Sequence, residues 1–480
     1  MDFTELYKQS ASLVSFSPGA HFILNAVHDR LIVRRADSFQ VTRTWLVDSS
    51  PSQTATALRN GPAIASGTPS SPDSAITHVA WSCDAEYLLS ACARRGIVNV
   101  YKMRDEDWNV RIESGAEGLV KAEWSPDGRS IICFSEWGLR VTVWSLITGV
   151  ATYIQYPTHP DRGYAFRKDG RYFVMAERHK SKDTVGVYDA HDSYKLVRHF
   201  SVPTSSLASL AISPTGNHLA VWEGPLEYKL CIFTLPGTLL ATFAPDPDPG
   251  LGIRCVAWHP AGSFIAVGGW DDKIHVLDGL SWSLVATLQL SSRMHAGVTV
   301  WREPQNWLEA THGRGFLSYE GVHGPQSIQI PKPDLSKPHP KSGTVQLEWN
   351  IKGSLLLARY ETIPTALFIY SFPSPSERFQ VKLRSVLLQT NPIIQARWNP
   401  VRGGRLALCC GGGGMYMWSN EWSTEEGEGH ATEEEVAECI GIPAKQFQVR
   451  DLKWAPDGKG LILLDKDTFC GAFEVEDGAA

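Results

Sequence analysis

The chain has 480 residues, of which 43% are hydrophobic and 20% are charged, so it can bury a large core. A formal net charge of −6 and a pI of about 6.2 argue against the basic surface that a nucleic-acid partner requires. No 18 consecutive apolar residues occur, and the N-terminal MDFTELYKQS lacks the pattern of a secretory signal. We therefore expect a soluble intracellular protein that binds neither nucleic acid nor membrane.

The nine cysteines form no CxxC pair and show no metal-ligand spacing. Most of them lie inside apolar runs, which predicts small buried residues in a reducing compartment. The nine are Cys83, Cys92, Cys133, Cys231, Cys255, Cys409, Cys410, Cys439 and Cys470.

One sequence unit recurs nine times along the chain. Each copy is an apolar strand that ends in an aromatic or apolar residue, followed by a polar turn close to Ser-Pro-Asp-Gly and a second apolar strand. The shortest distances between copies, 42 and 43 residues, match the length of a WD40 propeller blade. The first strands of the copies end at Phe16, Trp81, Trp124, Phe166, Ile212, Trp258, Trp349, Trp398 and Trp454.

Four strands can be assigned within a copy. In the copy around Trp258 they are IRCVAW, SFIAVGG, KIHVLD and SWSLVATLQL, separated by turns that contain Gly, Asp and Pro. The main helix candidate of the chain is EEEVAECI at 433–440. The pattern predicts an all-β fold, a WD40-type β-propeller.

The two ends of the chain predict how the ring closes. The last copy has only three strands, and the N-terminal segment at about 3–10 has the length of the missing outer strand. Pairing these segments removes an exposed sheet edge. We therefore predict one domain over 1–480, a single closed ring of about nine four-stranded blades. Two partial rings, or a seven- or eight-blade ring with degenerate repeats, are the alternatives.

Three insertions interrupt the repeat, and each is expected to be flexible. The segment 49–75 is rich in Ser, Pro, Thr and Ala. The segment 291–343 contains short apolar stretches and ends in a Pro- and Lys-rich run, so it is either a decorated loop or a degenerate tenth blade. The segment 420–438 is acidic, which is typical of a solvated loop or of a docking tail for a basic partner.

Little in the sequence points to catalysis. The glycine run at 409–414 lacks the Lys-Ser/Thr and the helix of a phosphate-binding loop. No Gly-x-Ser-x-Gly elbow and no zinc-ligand spacing occurs. Acid–base pairs such as Glu223 and Glu227 fall at turns between second and third strands, where charged residues are common. We therefore predict no enzyme, and no catalytic, cofactor-binding or metal-binding residue.

The turns between second and third strands of a propeller emerge on one face. Several of these turns carry aromatic residues beside acidic ones, a combination found among the anchors of protein interfaces. The alternative is that the rings pack over the ends of neighbouring blades. The predicted partner-binding residues are Glu136, Trp137, Glu177, Trp222, Glu223, Glu227, Tyr228, Trp270 and Tyr360.

Four blocks of the sequence are distinctive. They are EWGLRVTVWSL (136–146), DGRYFVMAER (169–178), LAVWEGPLEYKL (219–230) and LGIRCVAWHPAGSFIAVGGWDDKIHVL (251–277). These blocks resemble the centrosomal and spindle-pole WD-repeat family known as WD-repeat protein eight, and the similarity extends nearly end to end. It is weakest in the three insertions, and the first insertion departs from animal members, which favours a fungal member.

The resemblance implies a non-catalytic scaffold of the centrosome or spindle pole body, in the cytoplasm and cytoskeleton. It further implies a complex with a coiled-coil spindle-pole anchoring protein and a minus-end-directed kinesin-14, and contacts with γ-tubulin-associated pole components. In such a complex the protein would help anchor microtubule minus ends and organise the mitotic spindle. The alternatives are a translation-initiation or RNA-associated propeller scaffold, and a propeller hydrolase.

Overall fold

The computed structural model describes residues 1–48, 75–332, 340–373, 378–423 and 433–474. These residues are almost entirely β-strands and turns. The described part of the chain contains one short α-helix, α1 (Trp307–Ala310). Among the same residues, no helix is both long enough and apolar enough to cross a membrane.

The first two strands, β1 (Asp2–Phe3) and β2 (Tyr7–Lys8), precede six blades of four consecutive antiparallel strands each. The strands of blades 1 to 6 are, in chain order, β3 (Val14–Phe16), β4 (Phe22–Val27), β5 (Arg30–Arg35), β6 (Val41–Leu46), β7 (His78–Trp81), β8 (Tyr87–Cys92), β9 (Ile97–Lys102), β10 (Asn109–Glu113), β11 (Lys121–Trp124), β12 (Ser130–Phe134), β13 (Arg140–Ser145), β14 (Ala151–Gln155), β15 (Tyr164–Phe166), β16 (Tyr172–His179), β17 (Lys182–Asp189), β18 (Lys195–Ser201), β19 (Leu207–Ile212), β20 (His218–Glu223), β21 (Leu230–Thr234), β22 (Leu239–Phe243), β23 (Ile253–Trp258), β24 (Phe264–Gly269), β25 (Lys273–Asp278) and β26 (Leu284–Gln289).

The remaining strands form a connecting segment and three further blades. The connecting segment contains β27 (Arg293–Met294), β28 (Thr299–Arg302), β29 (Gly315–Ser318), β30 (Glu320–His323) and β31 (Gln326–Ser327). Blades 7, 8 and 9 contain β32 (Thr344–Trp349), β33 (Leu355–Tyr360), β34 (Ala366–Ser371), β35 (Lys382–Leu388), β36 (Gln395–Trp398), β37 (Arg405–Cys409), β38 (Gly414–Ser423), β39 (Glu433–Gly441), β40 (Asp451–Trp454), β41 (Gly460–Leu464) and β42 (Thr468–Phe473).

Blade 9 takes its outer strand from the other end of the chain. Strand β1 pairs antiparallel with β42 through Asp2 and Phe473, and β2 continues along the same strand, with Tyr7 opposite Phe469. The side chain of Gln9 donates to the backbone carbonyl of Asp465, which ties the segment to the turn of the last blade. The last blade is therefore four strands wide, as a stable blade edge requires.

Nine buried apolar clusters hold the ring together, one between each pair of neighbouring blades. The cluster between the last and first blades joins Ile462 and Phe469 of blade 9 to Val14 and Ile23 of blade 1. Because the last blade packs against the first, the ring is closed. The predicted ring of nine four-stranded blades is confirmed, and the alternatives of two partial rings or of seven or eight blades are wrong.

The tryptophans that end inner strands connect neighbouring blades. Each of six indole N–H groups donates to a carbonyl of the preceding blade's inner strand at 3.0 to 3.3 Å. A buried donor with a partner at this distance is stabilising, whereas an unpaired one would be costly. The donors are Trp81, Trp124, Trp258, Trp349, Trp398 and Trp454. Their recurrence in the sequence therefore reflects a bond repeated around the ring.

The segment between blades 6 and 7 widens two blades. Strand β28 pairs in parallel with β35, and β30 pairs with β28, which gives blade 7 six strands. Strand β29 pairs with β39 and gives blade 8 five strands. The segment 291–343 is thus neither a plain loop nor a tenth blade in its described residues, because three of its strands add to existing sheet edges and the other two, β27 and β31, pair only with each other.

Two further expectations concern the helix candidate at 433–440 and the insertions 420–438 and 49–75. The helix candidate at 433–440 lies in strand β39, where Ala437 and Cys439, two residues apart, both point into the cluster between blades 7 and 8. That helix prediction is wrong, because burial at every second position stabilises a strand. Residues 424–432 of the acidic segment, and all but Ala75 of the segment 49–75, lie outside the described residues.

Candidate protein-binding face

All turns that join the second and third strands of a blade lie on one face of the ring, because each blade repeats the same strand order. We call this side the turn face. The turns of Ser-Pro-Asp-Gly type, between first and second strands, lie on the opposite side. The turns of the turn face are 28–29, 93–96, 135–139, 180–181, 224–229, 270–272, 361–365, 410–413 and 465–467.

Trp137 and Leu226 are the most exposed large hydrophobic residues of the turn face, at 88% and 87%, and Trp137 is the larger. It lies at the blade 3 tip, residues 135–140, in a 3₁₀ turn, and its side chain is 88% exposed. Its backbone is left-handed, with φ 62° and ψ 13°, a conformation that costs a residue with a Cβ roughly 1–2 kcal/mol. Other non-glycine residues also have positive φ, some of them buried, such as Phe39 and Tyr194, and some exposed, such as Tyr156.

The blade 3 tip adjoins the neighbouring blade 4 tip, residues 177–183. A side chain at Gly138 would approach the carbonyl of Pro157 to 3.1 Å, so the tip lies directly on the segment that leaves blade 3. Pro157 forms a bridge with Glu177 of blade 4, and the N–H of Arg178 donates to the carbonyl of Tyr156 at 2.9 Å. The two tips therefore share one continuous surface.

Four exposed side chains, three of them aromatic, lie near one another across these tips. Leu139 is 54% exposed and Tyr156 is 49% exposed, close to Trp137 along the chain or across the sheet. The ring of Tyr156 lies 4.8 Å from that of His179. We call Trp137, Leu139, Tyr156 and His179 the blade 3–4 patch. Scattered apolar residues are normal on a surface, whereas a contiguous apolar group marks an interaction site.

Basic side chains flank the blade 3–4 patch. Arg178, Lys180 and Lys182 are all exposed at the blade 4 tip. Lys180 and Ser181 have φ of 49° and 64°, the geometry of a tight hairpin turn, so Lys180 lies in the turn and Lys182 begins the strand that follows it. Within the described ranges, neither Lys180 nor Lys182 forms an ion pair, and Arg178 lies 3.6 Å from Asp183.

The structure places Glu177 inside blade 4 rather than on the surface. The residue is buried, its carboxylate accepts the hydroxyl hydrogen of Tyr188, and it lies 3.1 Å from Nε2 of His199. Burial raises the pKa of this carboxyl above its ordinary value, and the two partners lower it in part. The expectation that Glu177 is exposed is wrong, because the strand β16 extends through it to His179.

Two residues of the blade 5 tip, 222–229, are also buried. Glu223 is 3% exposed, and its carboxylate accepts the backbone N–H groups of Ser205 and Ser206 at 3.0 and 2.5 Å. Tyr228 is 1% exposed and belongs to the cluster between blades 5 and 6, where it packs edge-on against His275. Burial raises the pKa of the Tyr228 hydroxyl. Both side chains therefore stabilise the ring.

The other predicted partner-binding residues are buried, half-buried or exposed, depending on their contacts. Trp222 is half-buried against the cluster between blades 5 and 6, and Trp270 is half-buried beneath Arg254, whose guanidinium carbon lies 4.2 Å from the ring centre. Tyr360 is completely buried between blades 6 and 7. Glu227 is exposed and lies 3.5 Å from Lys229. Only Glu136, Trp137 and Glu227 of the nine are exposed.

The predicted aromatic and acidic rim is therefore replaced by an aromatic and basic patch on blades 3 and 4. Sequence reasoning missed Leu139, Tyr156 and the cations of the blade 4 tip as a group. The signal was present, since ERHKSKD at 177–183 is rich in basic residues, but the acidic residue that opens it is buried.

Thiol and metal chemistry receive little support from the geometry. All nine cysteines are free, and seven of them are buried. Burial raises the pKa of Cys133 and of Cys470 to about 12, so these thiols stay protonated and are poor nucleophiles. Among the residues with a described position, no three His, Cys, Asp or Glu side chains are grouped so as to hold a metal ion.

Comparison with known proteins places the chain in a family. The model of the WD domain, G-beta repeat, matches residues 237–278, which contain β22 to β25. WD repeat-containing protein WRAP73 of Mus musculus is 31% identical over 494 aligned positions, which cover 98% of this chain and 96% of that protein. The chain belongs to this WD-repeat family.

Two more distant relatives share the repeat. An uncharacterised WD repeat-containing protein of Schizosaccharomyces pombe is 21% identical to the chain, over 79% of it and 77% of the relative. The Periodic tryptophan protein 2 homolog of Mus musculus is 22% identical over 46% of the chain and 23% of its own length. The similarity to WRAP73 spans all nine blades, whereas the similarity to the third protein covers less than half of the chain.

Proposed function

We propose that the protein is a non-catalytic interaction scaffold that presents its turn face to protein partners. The observation that carries this proposal is the indole of Trp137, which is 88% exposed on the turn face and belongs to a residue with a left-handed backbone. Strained, exposed residues that persist in a rigid framework are typical of functional sites. Tryptophan is also among the residues that contribute most to binding energy at protein interfaces.

The proposed place of action is the centrosome or spindle pole body. The support is the resemblance of the distinctive blocks, which include the blade 3 tip and the blade 5 tip, together with membership of the WRAP73 family. In this proposal the scaffold binds a coiled-coil anchoring protein, a minus-end-directed kinesin-14 and γ-tubulin-associated pole components. It thereby helps to anchor microtubule minus ends and organise the mitotic spindle.

A test of this function uses the full-length protein, tagged and expressed in mitotic cells. We expect it to concentrate at spindle poles and to co-purify with a coiled-coil pole protein and a kinesin-14. Trp137→Ala should lose these partners and remain folded. The matched control is Leu280→Ala, because Leu280 is equally exposed, at 88%, but lies on the opposite face between β25 and β26. A diffuse protein that recovers neither partner would overturn the proposal.

A further inference from the structure

We infer that the blade 3–4 patch and the flanking Lys180 and Lys182 bind an acidic peptide segment that carries an aromatic or branched apolar anchor. This inference rests on the proposed function for the statement that the partner is a protein, and it adds the chemistry of the segment that is recognised.

The apolar part of the site is formed by side chains from two blades. Trp137 and Leu139 project from the blade 3 tip, and Tyr156 follows the outer strand of the same blade. The contacts of Gly138 with Pro157, and of Tyr156 with His179, hold these side chains against blade 4. A segment laid across both tips could therefore cover the indole and a second apolar group at once, as interface anchors require.

The charges beside the apolar part favour a negative partner. Lys180 and Lys182 are exposed at the blade 4 tip without an ion pair to any described residue, whereas Glu136 is the exposed carboxylate at the blade 3 tip. Arg178 is also exposed, but its guanidinium lies 3.6 Å from Asp183 and donates to the carbonyl of Ser205 at 3.0 Å. In the loop between the blades, Asp161 and Arg162 are both exposed and offset each other. Complementary charge steers association and selects the partner, so the segment should contain Asp or Glu next to its anchor.

Aromatic residues beside cations also suit single-stranded nucleic acid, but the charge of the protein favours a peptide. Binding a nucleic-acid strand requires a basic groove that follows several phosphates. The patch offers two lysines without an ion pair in the described part of the chain and an arginine that is paired with Asp183, all in one hairpin, on a chain of net charge −6. Two available cations match a short acidic cluster better than a phosphate backbone. A nucleic-acid ligand is therefore one of the outcomes that would overturn the inference.

The test selects ligands with the purified full-length protein. The probes are a library of random 16-residue peptides displayed on yeast and a pool of random 16-nucleotide single-stranded RNA. We expect enriched peptides to combine Asp or Glu with Trp, Phe or Leu. Trp137→Ala should weaken binding of the enriched peptides by about tenfold or more, equivalent to about 1.4 kcal/mol. Leu280→Ala should bind them as the unmodified protein does.

A charge reversal tests the recognition of acidic residues separately. Lys180→Glu with Lys182→Glu should shift the selection from acidic to basic peptides, because both side chains are exposed and their replacement leaves the core intact. The inference is overturned if no peptide is enriched, if Trp137→Ala retains the enriched peptides, if the charge reversal leaves their composition unchanged, or if the RNA pool binds at the same patch instead.

The outcome can be separated from that of the proposed function. If the peptide selection fails while the tagged protein still recovers pole proteins, the scaffold stands and the acidic-segment inference falls. If acidic peptides bind through Trp137 while no pole protein is recovered, the patch is a peptide site and the proposed cellular role falls.

Discussion

The blade 3 tip and the blade 5 tip contain similar residues, but the exposure of these residues differs. Each contains a tryptophan next to a glutamate, Trp137 with Glu136 in one and Trp222 with Glu223 in the other. At the blade 3 tip both side chains are exposed. At the blade 5 tip the tryptophan is half-buried and the glutamate is 3% exposed.

The difference in exposure follows from the hydrogen-bond and packing partners near each tip. Glu223 faces the loop before β19, where the N–H groups of Ser205 and Ser206 are available to its carboxylate. The tip then continues to Tyr228, which fills the space between blades 5 and 6. The blade 3 tip is a single tight turn on Pro157, so its side chains point outward. Residue type alone therefore does not separate a stabilising turn from a binding turn, but its contacts do.

The largest expected difference between the tips is in stability. Tyr228→Ala should lower the free energy of unfolding by about 3–5 kcal/mol, because it leaves a cavity in a buried cluster. Trp137→Ala should change the same quantity by no more than about 0.5 kcal/mol, since little of the indole is buried. Urea denaturation followed by far-ultraviolet circular dichroism measures both. Equal losses in the two variants would contradict the assignment of the tips.

Replacing the glutamate of each tip, Glu136 or Glu223, should give a smaller difference in unfolding free energy. Glu223→Ala leaves two backbone N–H groups without their acceptor, and we expect it to cost about 2–3 kcal/mol of unfolding free energy. Glu136→Ala should cost about 0.5 kcal/mol or less, because the carboxylate is exposed. The same denaturation experiment applies. A costly Glu136→Ala would show that the blade 3 tip also has a structural role.

One substitution should increase the free energy of unfolding slightly instead of lowering it. Trp137→Gly should raise the free energy of unfolding by about 0.5 kcal/mol, because glycine relieves the left-handed strain at φ 62° but gives up more chain entropy. The same variant should lose partner binding. Stability that rises as binding falls is expected where a strained residue is kept for function. A destabilised Trp137→Gly would mean that the indole packs in the folded state.

The blade 4 tip, between the two, should show a dependence on pH. Burial raises the pKa of Glu177, so the folded state holds this proton more tightly than the unfolded state. The resulting stabilisation is fully present below the unfolded pKa of about 4.3 and is lost as pH rises through the folded value. The unfolding free energy of the unmodified protein minus that of Glu177→Gln should therefore fall as the pH rises above about 4.3. A difference that rises with pH would contradict the raised pKa.

Much of the fold could be predicted from the sequence, because the repeated bond of the ring has a sequence signature. Residues such as Trp124 and Trp454 recur because each donates to the preceding blade. The turns after Phe16, Phe166 and Ile212 mark the three copies that lack the donor. The parallel pairing of β28 with β35 has no such signature. It depends on a free outer edge of blade 7, which appears only after the blades have been assembled.

The candidate site was predicted less completely for a related reason. Charged turn residues are usually solvated, so Glu177 and Glu223 were expected on the surface. Their partners come from elsewhere, His199 on the outer strand of blade 4 and the backbone of the loop before blade 5. Trp137 was identified correctly as exposed, because a one-turn tip offers a large ring no neighbouring pocket.

The most direct test of whether Trp137, and not Trp222, contacts the partner compares Trp137→Gly with Trp222→Ala in one titration. The quantity measured is the dissociation constant of an acidic peptide selected by the unmodified protein, determined by fluorescence anisotropy at equal concentrations of folded protein. We expect Trp137→Gly to weaken binding by about tenfold or more. Trp222→Ala should stay within about twofold, because its indole is half-buried against the cluster between blades 5 and 6. Stronger loss in Trp222→Ala than in Trp137→Gly would contradict this expectation.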